Sequence, residues 1–343
     1  MNAVLSLVSA SPGHSQVNLR VNLGAASIRV DGTSGRDEGT FGSIDAAVIS
    51  YSGIVIVADR SQRRLVLIFP SVERDVRVVG RTGSGPGELR EPKSLQLVDD
   101  SVVTLLDRGL SRFTRFTMSG IGLRIAGTTA VTPRPDDACY LRDRLVAFRY
   151  DPVRRMMLHW ARTPTAPERY VGRPFEAGSG FLEEELSQGQ VLCAADAGRV
   201  VLAAFAEGEV RGYSATGDSV WTTSIPNVVP WDVAETSGGG IAWRFRRVKG
   251  VKQAHSLASV VRIDANHVLV QYGLEIQGQP NRASDLTFAR VESSLLRLRD
   301  GAIVGRQSDL PVIKAANGRL AVSAGGSPDL WIAVRPYTLR PTN

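Results

Sequence analysis

The densest mixture of cations and aromatic rings in this 343-residue sequence runs from Trp243 to Lys252. Trp243, Arg244, Phe245, Arg246, Arg247, Lys249 and Lys252 follow closely on one another, with Trp231 a short way upstream. Rings that stack on bases or sugars, beside cations that neutralise phosphate or carboxylate, make a candidate patch for nucleic acid, anionic lipid or an acidic partner. The same residues fit a surface strand, since side chains alternate across a strand: Trp243, Phe245 and Val248 inward, Arg244, Arg246 and Arg247 outward. Trp231, Trp243, Arg244, Arg246, Arg247, Lys249 and Lys252 are the candidate binding residues.

Other chemistries find less support. Gly80 to Pro92 reads Gly-Arg-Thr-Gly-Ser-Gly-Pro-Gly-Glu-Leu-Arg-Glu-Pro, and glycines of this density can let backbone amides converge on a phosphate. No Lys-Ser or Lys-Thr follows, however, which excludes a Walker loop. Asp59 and Asp107 resemble isolated catalytic carboxylates, yet they recur at equivalent places and are better read as turn fasteners accepting backbone amides. The four histidines, at 14, 159, 255 and 267, show none of the spacings that gather metal ligands locally, although a ring of repeats can still collect ligands one by one around its axis. No Gly-x-Ser-x-Gly elbow is present. No catalytic residue, metal-ligand set or cofactor is assigned.

The elements that would hold these residues are legible from a repeat. Gly32, Gly35, Gly39, Phe41 and Asp59 are followed by Gly80, Gly83, Gly87, Leu89 and Asp107, each displaced by 48 residues (80 − 32 and 107 − 59). Arg64 and Arg112 each stand five residues after the aspartate, placed to pair with it across a hairpin, and Gly127 closes the second unit. A period of this size with β-type runs inside it marks a propeller blade rather than a helical solenoid.

The fold expected is therefore all-β, a single six-bladed β-propeller over 16–340. The chain starts partway through a blade, with alternating strands at 16–23 and 27–30, so these N-terminal strands are expected to join the last blade and close the ring, leaving no free sheet edge. Blades three to six are read around 144–172, 198–225, 268–305 and 318–334. A short helix is predicted over 181–188. The segment 226–264, with prolines at 226 and 230 and three consecutive glycines at 238–240, is expected to be a long connection, and connections of that length tend to carry function.

Lys and Arg total 41 against 34 Asp and Glu, for a net charge of +7. Only four of the 41 are lysines, at 93, 249, 252 and 314. The arginines are spread over nearly every segment, a bias of composition rather than one concentrated nucleic-acid face. Cys139 and Cys193 fall in different blades and are expected to be buried free thiols. No apolar run is long enough to span a membrane. Residues 1–15 begin with a short apolar run ending in Val-Ser-Ala, either the remnant of a secretory signal or an irregular start to the first strand.

The pattern of apolar run, Asp, Arg, aromatic and Gly, followed by Gly-x-x-Gly-x-Gly-Pro-Gly-Glu-Leu-x-x-Pro, resembles bacterial six-bladed propellers of the NHL-like type. The match is close over 32–127, recognisable to about 225 and weak beyond. The resemblance implies a binding or interaction module, periplasmic or extracellular, or cytoplasmic if Met1 is the true start. A protein or small-molecule partner is expected over the central channel, by a monomer, with nucleic acid less favoured. Two alternatives stay open: a metal-dependent lactonase- or lyase-like enzyme with ligands on the axis, as in related six-bladed folds whose ligand motifs have no match here, and an RNA-binding propeller.

Overall fold

The computed structural model describes residues 18–31, 41–69, 75–119, 122–280, 286–326 and 329–342. The candidate signal remnant at 1–15 and Gly32 lie outside these residues. Apolar runs such as Val55–Asp59 and Arg64–Phe69 become strands because neighbouring sheets cover both their faces: Val55, Ile56, Val57, Ala58, Leu65 and Val66 are all inaccessible to solvent. A run with no polar face can be satisfied only between two layers.

Six antiparallel sheets result, the blades, spanning 46–79, 92–130, 137–171, 189–224, 246–307 and 312–341. The innermost strand of each packs beside that of the next, Ala46–Ile49 by Pro92–Asp99 and so on to Val312–Ala316, which returns to Ala46–Ile49 and completes the ring. The core is correspondingly distributed between blades. Val48, Ile56 and Leu67 of blade 1 share a cluster with Val103, Leu105 and Phe116 of blade 2, while Val57 and Val66 pack with Val322 and Ile332 of blade 6.

Closure follows the expected route. Leu19–Leu23 and Ile28–Asp31 both pair with Trp331–Pro341, forming one interrupted outer strand of blade 6. The interruption falls opposite Pro336, which has no N–H to donate, and Gly24 donates to the Pro336 carbonyl at 2.8 Å.

Polar side chains tie each blade to the next. Asp100 accepts from the Tyr51 amide at 2.6 Å (blades 1 and 2), and Gln96 both donates to and accepts from the Tyr140 backbone at 2.7 and 2.6 Å (blades 2 and 3). Asp137 accepts from Val191 (blades 3 and 4) and Tyr272 donates to Ala204 (blades 4 and 5). Gln271 accepts from Ile313 (blades 5 and 6), and Asn317 donates to Ser50, sealing blade 6 to blade 1.

The segment 226–264 departs from the expectation of a long connection. Asp232–Glu235 and Ile241–Arg244 form a two-stranded ribbon, and Val251–Arg262 is the channel-lining strand of blade 5. Blades 3, 4 and 6 likewise begin one strand earlier than read, at Asp137–Leu141, Gly189–Ala194 and Val312–Ala316. The helix spans Gly180–Leu186, capped by Ser179, whose hydroxyl accepts from the Leu182 amide.

The cysteines correct a second expectation: Cys139 and Cys193 are joined in a disulfide with Cα atoms 5.7 Å apart. They were expected to be free because they belong to different blades. Successive blades are neighbours round the ring, however, and a separation of 54 residues, close to the blade period, brings equivalent inner-strand positions side by side. Asp137 and Val191, also 54 apart, meet in the same register.

Candidate functional site

The repeat aspartates are buried and fully engaged. Asp59 accepts from the amides of Gly42, Ser43 and Gln62 at 3.0, 3.0 and 3.1 Å. Asp107 accepts from Arg90, Glu91 and Leu110 at 2.9, 3.0 and 3.1 Å. Partner by partner the two sets are displaced by 48 residues. Each carboxylate thus binds its own turn to the segment entering the inner strand of its blade. Arg64 and Arg112 both sit opposite these aspartates in the hairpin register but do different work. Arg64 reaches Asp59 at 3.6 Å, whereas Arg112 donates to the carbonyls of Ser84 and Gly85 and so pins the glycine-rich loop.

That loop is filled from within. Glu88 turns back to accept from the Gly85 amide at 2.7 Å and from Arg81 at 3.0 Å, so a bound phosphate would meet a carboxylate. Gly80 has φ +91°, and a Cβ there would lie 2.9 Å from the Leu89 side chain. Its role is the tight corner between blades. Gly127 lies in the outer strand of blade 2, paired with Arg115.

The candidate binding residues form a projecting edge. Trp231 and Trp243 meet edge to face at 6.0 Å, Phe245 lies 4.7 Å from Trp231, and Phe205 lies 6.1 Å from Trp243. The rings are half-buried on one another, while Arg244, Arg246, Arg247, Lys249 and Lys252 are exposed. Arg246–Val248 pairs with the beginning of Val251–Arg262, which sets Arg247 directly opposite Lys252. Like charges so placed oppose folding. None of the five cations forms an ion pair with a described residue.

The strand Val251–Arg262 carries this edge into the central channel. Its last four residues, with the other five inner strands, line a cavity of about 760 Å³. At the end where the inner strands begin, the wall presents Lys93, Lys314, Asp45 and Asp137, residues that repeat reading did not single out. Asp45 is taken up by the Ser43 hydroxyl at 2.6 Å and by Arg60 at 3.2 Å. Asp137 accepts from the amides of Ala138 and Val191 at 2.9 and 2.8 Å and from the Ser94 hydroxyl; burial pushes its carboxyl above the usual range.

Lys314 donates to the Ala258 carbonyl at 3.0 Å, and burial lowers its ammonium to about 8. Lys93 lies on the same wall, where its charge acts on Asp137, and it makes no hydrogen bond or ion pair with a described residue. Two of the four lysines in an arginine-rich chain therefore meet at the end of the cavity where both carboxylates, Asp45 and Asp137, are already occupied, with Asp99, Asp196 and Asp264 at its other end, an arrangement suited to holding a small anion where the inner strands begin.

Among the described residues no three His, Cys, Asp or Glu side chains converge as a metal-binding group. His159 and His255 are buried in blades 3 and 5. No described helix is long and apolar enough to cross a membrane.

No protein-family model matches the sequence, and no curated protein matches it. Solved structures do. A protein of Bacteroides fragilis expected to be exported is 10% identical, with a TM-score of 0.58 over 96% of this chain and 98% of its own. A member of the DUF4221 family from Bacteroides vulgatus is 11% identical, with a TM-score of 0.55 over 96% and 100%. The WD40 repeats of RRP9 reach 0.50 at 11% identity over 93% and 100%. At these identities the likeness is one of architecture, and with the ring described above it makes this chain a six-bladed β-propeller.

Proposed function

We propose that the protein is a non-catalytic binding module that takes a small anionic ligand into the channel at the end where the inner strands begin, with the ribbon and strand edge over 231–252 as its basic rim. The observation that carries this reading is the pair Lys93 and Lys314 at the end of the cavity where the two carboxylates, Asp45 and Asp137, are spent on the protein's own donors, the cavity's other aspartates, Asp99, Asp196 and Asp264, lying where the inner strands finish. The juxtaposed Arg247 and Lys252 support it, because a cost to folding is offset when an anion arrives. The Cys139–Cys193 disulfide supports an oxidising compartment outside the cytoplasm, and so does the expected export of the Bacteroides fragilis protein of like fold.

The test is a thermal-shift screen of mono-, di- and tricarboxylates followed by calorimetry on the strongest. Lys93→Met and Lys314→Met should each weaken binding at least tenfold. Replacing Arg246, Arg247 and Lys249 by Ser should weaken it less and flatten its salt dependence. Unchanged affinity in Lys93→Met would remove the channel as the site.

A further inference from the structure

At the other end of the ring, where the inner strands of blades 4 and 5 finish, a crevice of about 570 Å³ is lined by Asp196, Arg199, Asn266, His267, Arg297 and Arg299, among others. It shares Asp196 and Ala265 with the channel wall, so it opens beside the far mouth, away from Lys93 and Lys314. We propose that this crevice is a second ligand site, for a tetrahedral oxyanion: a phosphate or sulfate group carried free or on a larger molecule.

The charge balance supports this. Arg297 and Arg299 share a single carboxylate, Asp300, at 2.7 and 3.3 Å, leaving one guanidinium charge in excess. Arg199 has no carboxylate partner among the described residues. One of its terminal nitrogens donates to the Gly198 carbonyl at 3.2 Å, and its Nε–H is buried with no acceptor among the described residues. A buried donor left unmade costs free energy that an incoming acceptor recovers. The nearby acids are committed, Asp196 to Arg262 and Asp264 to His267. Three planar forks around one cavity suit an oxyanion with several acceptor oxygens better than a point-charge ammonium would.

The site is also rigid. Leu298, between the two arginines, is buried; its amide donates to Asn266 at 2.8 Å and its carbonyl accepts from Trp221 Nε1 at 3.0 Å. Gly301 in the same turn has φ +70°, and a Cβ there would lie 2.5 Å from the Trp221 ring, so the backbone packs directly on the indole. The arginines thus stand on a fixed turn bridging blades 4 and 5, which spares the ligand the cost of ordering a loop.

The experiment is calorimetric titration of the intact protein with inorganic phosphate and with sodium sulfate, at constant ionic strength set with chloride. Saturable binding of either anion is expected, weakened tenfold or more in Arg199→Gln and severalfold in Arg299→Gln. The second variant alters an exposed side chain and so leaves the fold untouched. Binding lost in Lys314→Met but retained in Arg299→Gln would place the anion in the channel instead and overturn this site. No saturable heat with either anion overturns the proposal, as does equal affinity in Arg299→Gln and the parent.

Discussion

The ammonium of Lys314 and the carbonyl of Ala258, 3.0 Å apart, belong to two β-bulges that face each other across the boundary between blades 6 and 5. Pairing of Val251–Arg262 with its neighbour skips from Leu257 to Ser259, leaving Ala258 as the extra residue. Pairing of Val312–Ala316 skips from Ile313 to Ala315, leaving Lys314. A bulge frees a carbonyl from its ladder and re-aims a side chain. Two opposed bulges therefore place a donor and an acceptor together on the channel wall, where regular strands would have turned both into blade contacts.

Lys314 gives a pH signature. Its folded value of about 8 lies below the ordinary 10.5 because burial disfavours the charge. Between these values the unfolded chain binds a proton that the folded one does not, so stability rises with pH from about 8 to 10.5. In Lys314→Met that rise should diminish by about one proton's worth of slope, read from urea midpoints at pH 8, 9 and 10. An identical slope in parent and variant would show the amine to be freely solvated.

The disulfide should matter to stability because it clasps adjacent inner strands across a separation of 54 residues. Replacing Cys139 and Cys193 together by Ser should cost about 2–4 kcal/mol in urea unfolding. Thiol reagents should find no reactive cysteine in the native protein before reduction. One thiol per cysteine in the oxidised sample would contradict the pairing.

The repeat explains what was legible in the sequence. Asp59 and Asp107 could be recognised as fasteners because each must accept three amides at fixed offsets, and geometry that strict repeats in sequence. The ring's closure was legible for a similar reason, since a half-blade at one end implies its complement at the other. The inner strands of blades 3 to 6 were not. They carry Asp137, Gln190, Ser259 and Lys314 into the channel, and a strand with polar side chains on one edge and a bulge in its middle shows neither a continuous apolar run nor a clean alternation. Asp137 and Lys314, half of the candidate channel site, thus lie on strands that break the pattern by which strands are found. The disulfide was missed because neighbours in a ring are distant in sequence.

If the two aspartates do the same work, their loss should cost the same. Asp59→Ala and Asp107→Ala each strand three amides around a side chain with no solvent exposure. The loss should be on the order of 3 kcal/mol in each variant. Agreement of the two unfolding free energies to within about 1 kcal/mol is expected. A small effect at Asp107 alone would show that Arg112, which holds the glycine-rich loop, supports that corner without it.

Acid should loosen blade 5 through a single imidazole. His255 Nδ1 accepts from the Val229 amide at 2.9 Å, so the ring proton sits on Nε2, buried without an acceptor among the described residues. Burial lowers this histidine to about 4. The unfolded chain takes up a proton near 6.5, the folded chain only near 4, and stability therefore falls as the pH drops between these values. His159, also lowered to about 4 by burial, acts in the same window from blade 3, so the parent should show a slope of about two protons from this pair. His255→Asn keeps an acceptor for Val229 while removing the titration. It should lose one proton of slope between pH 4 and 6.5 while remaining folded at pH 7, with the difference between variant and parent cancelling groups common to both. Because the imidazole also anchors the start of the strand that runs from the basic edge to the channel, hydrogen exchange at pH 5 should rise first over 228–258. Exchange that rises uniformly round the ring would place the acid-sensitive contact elsewhere.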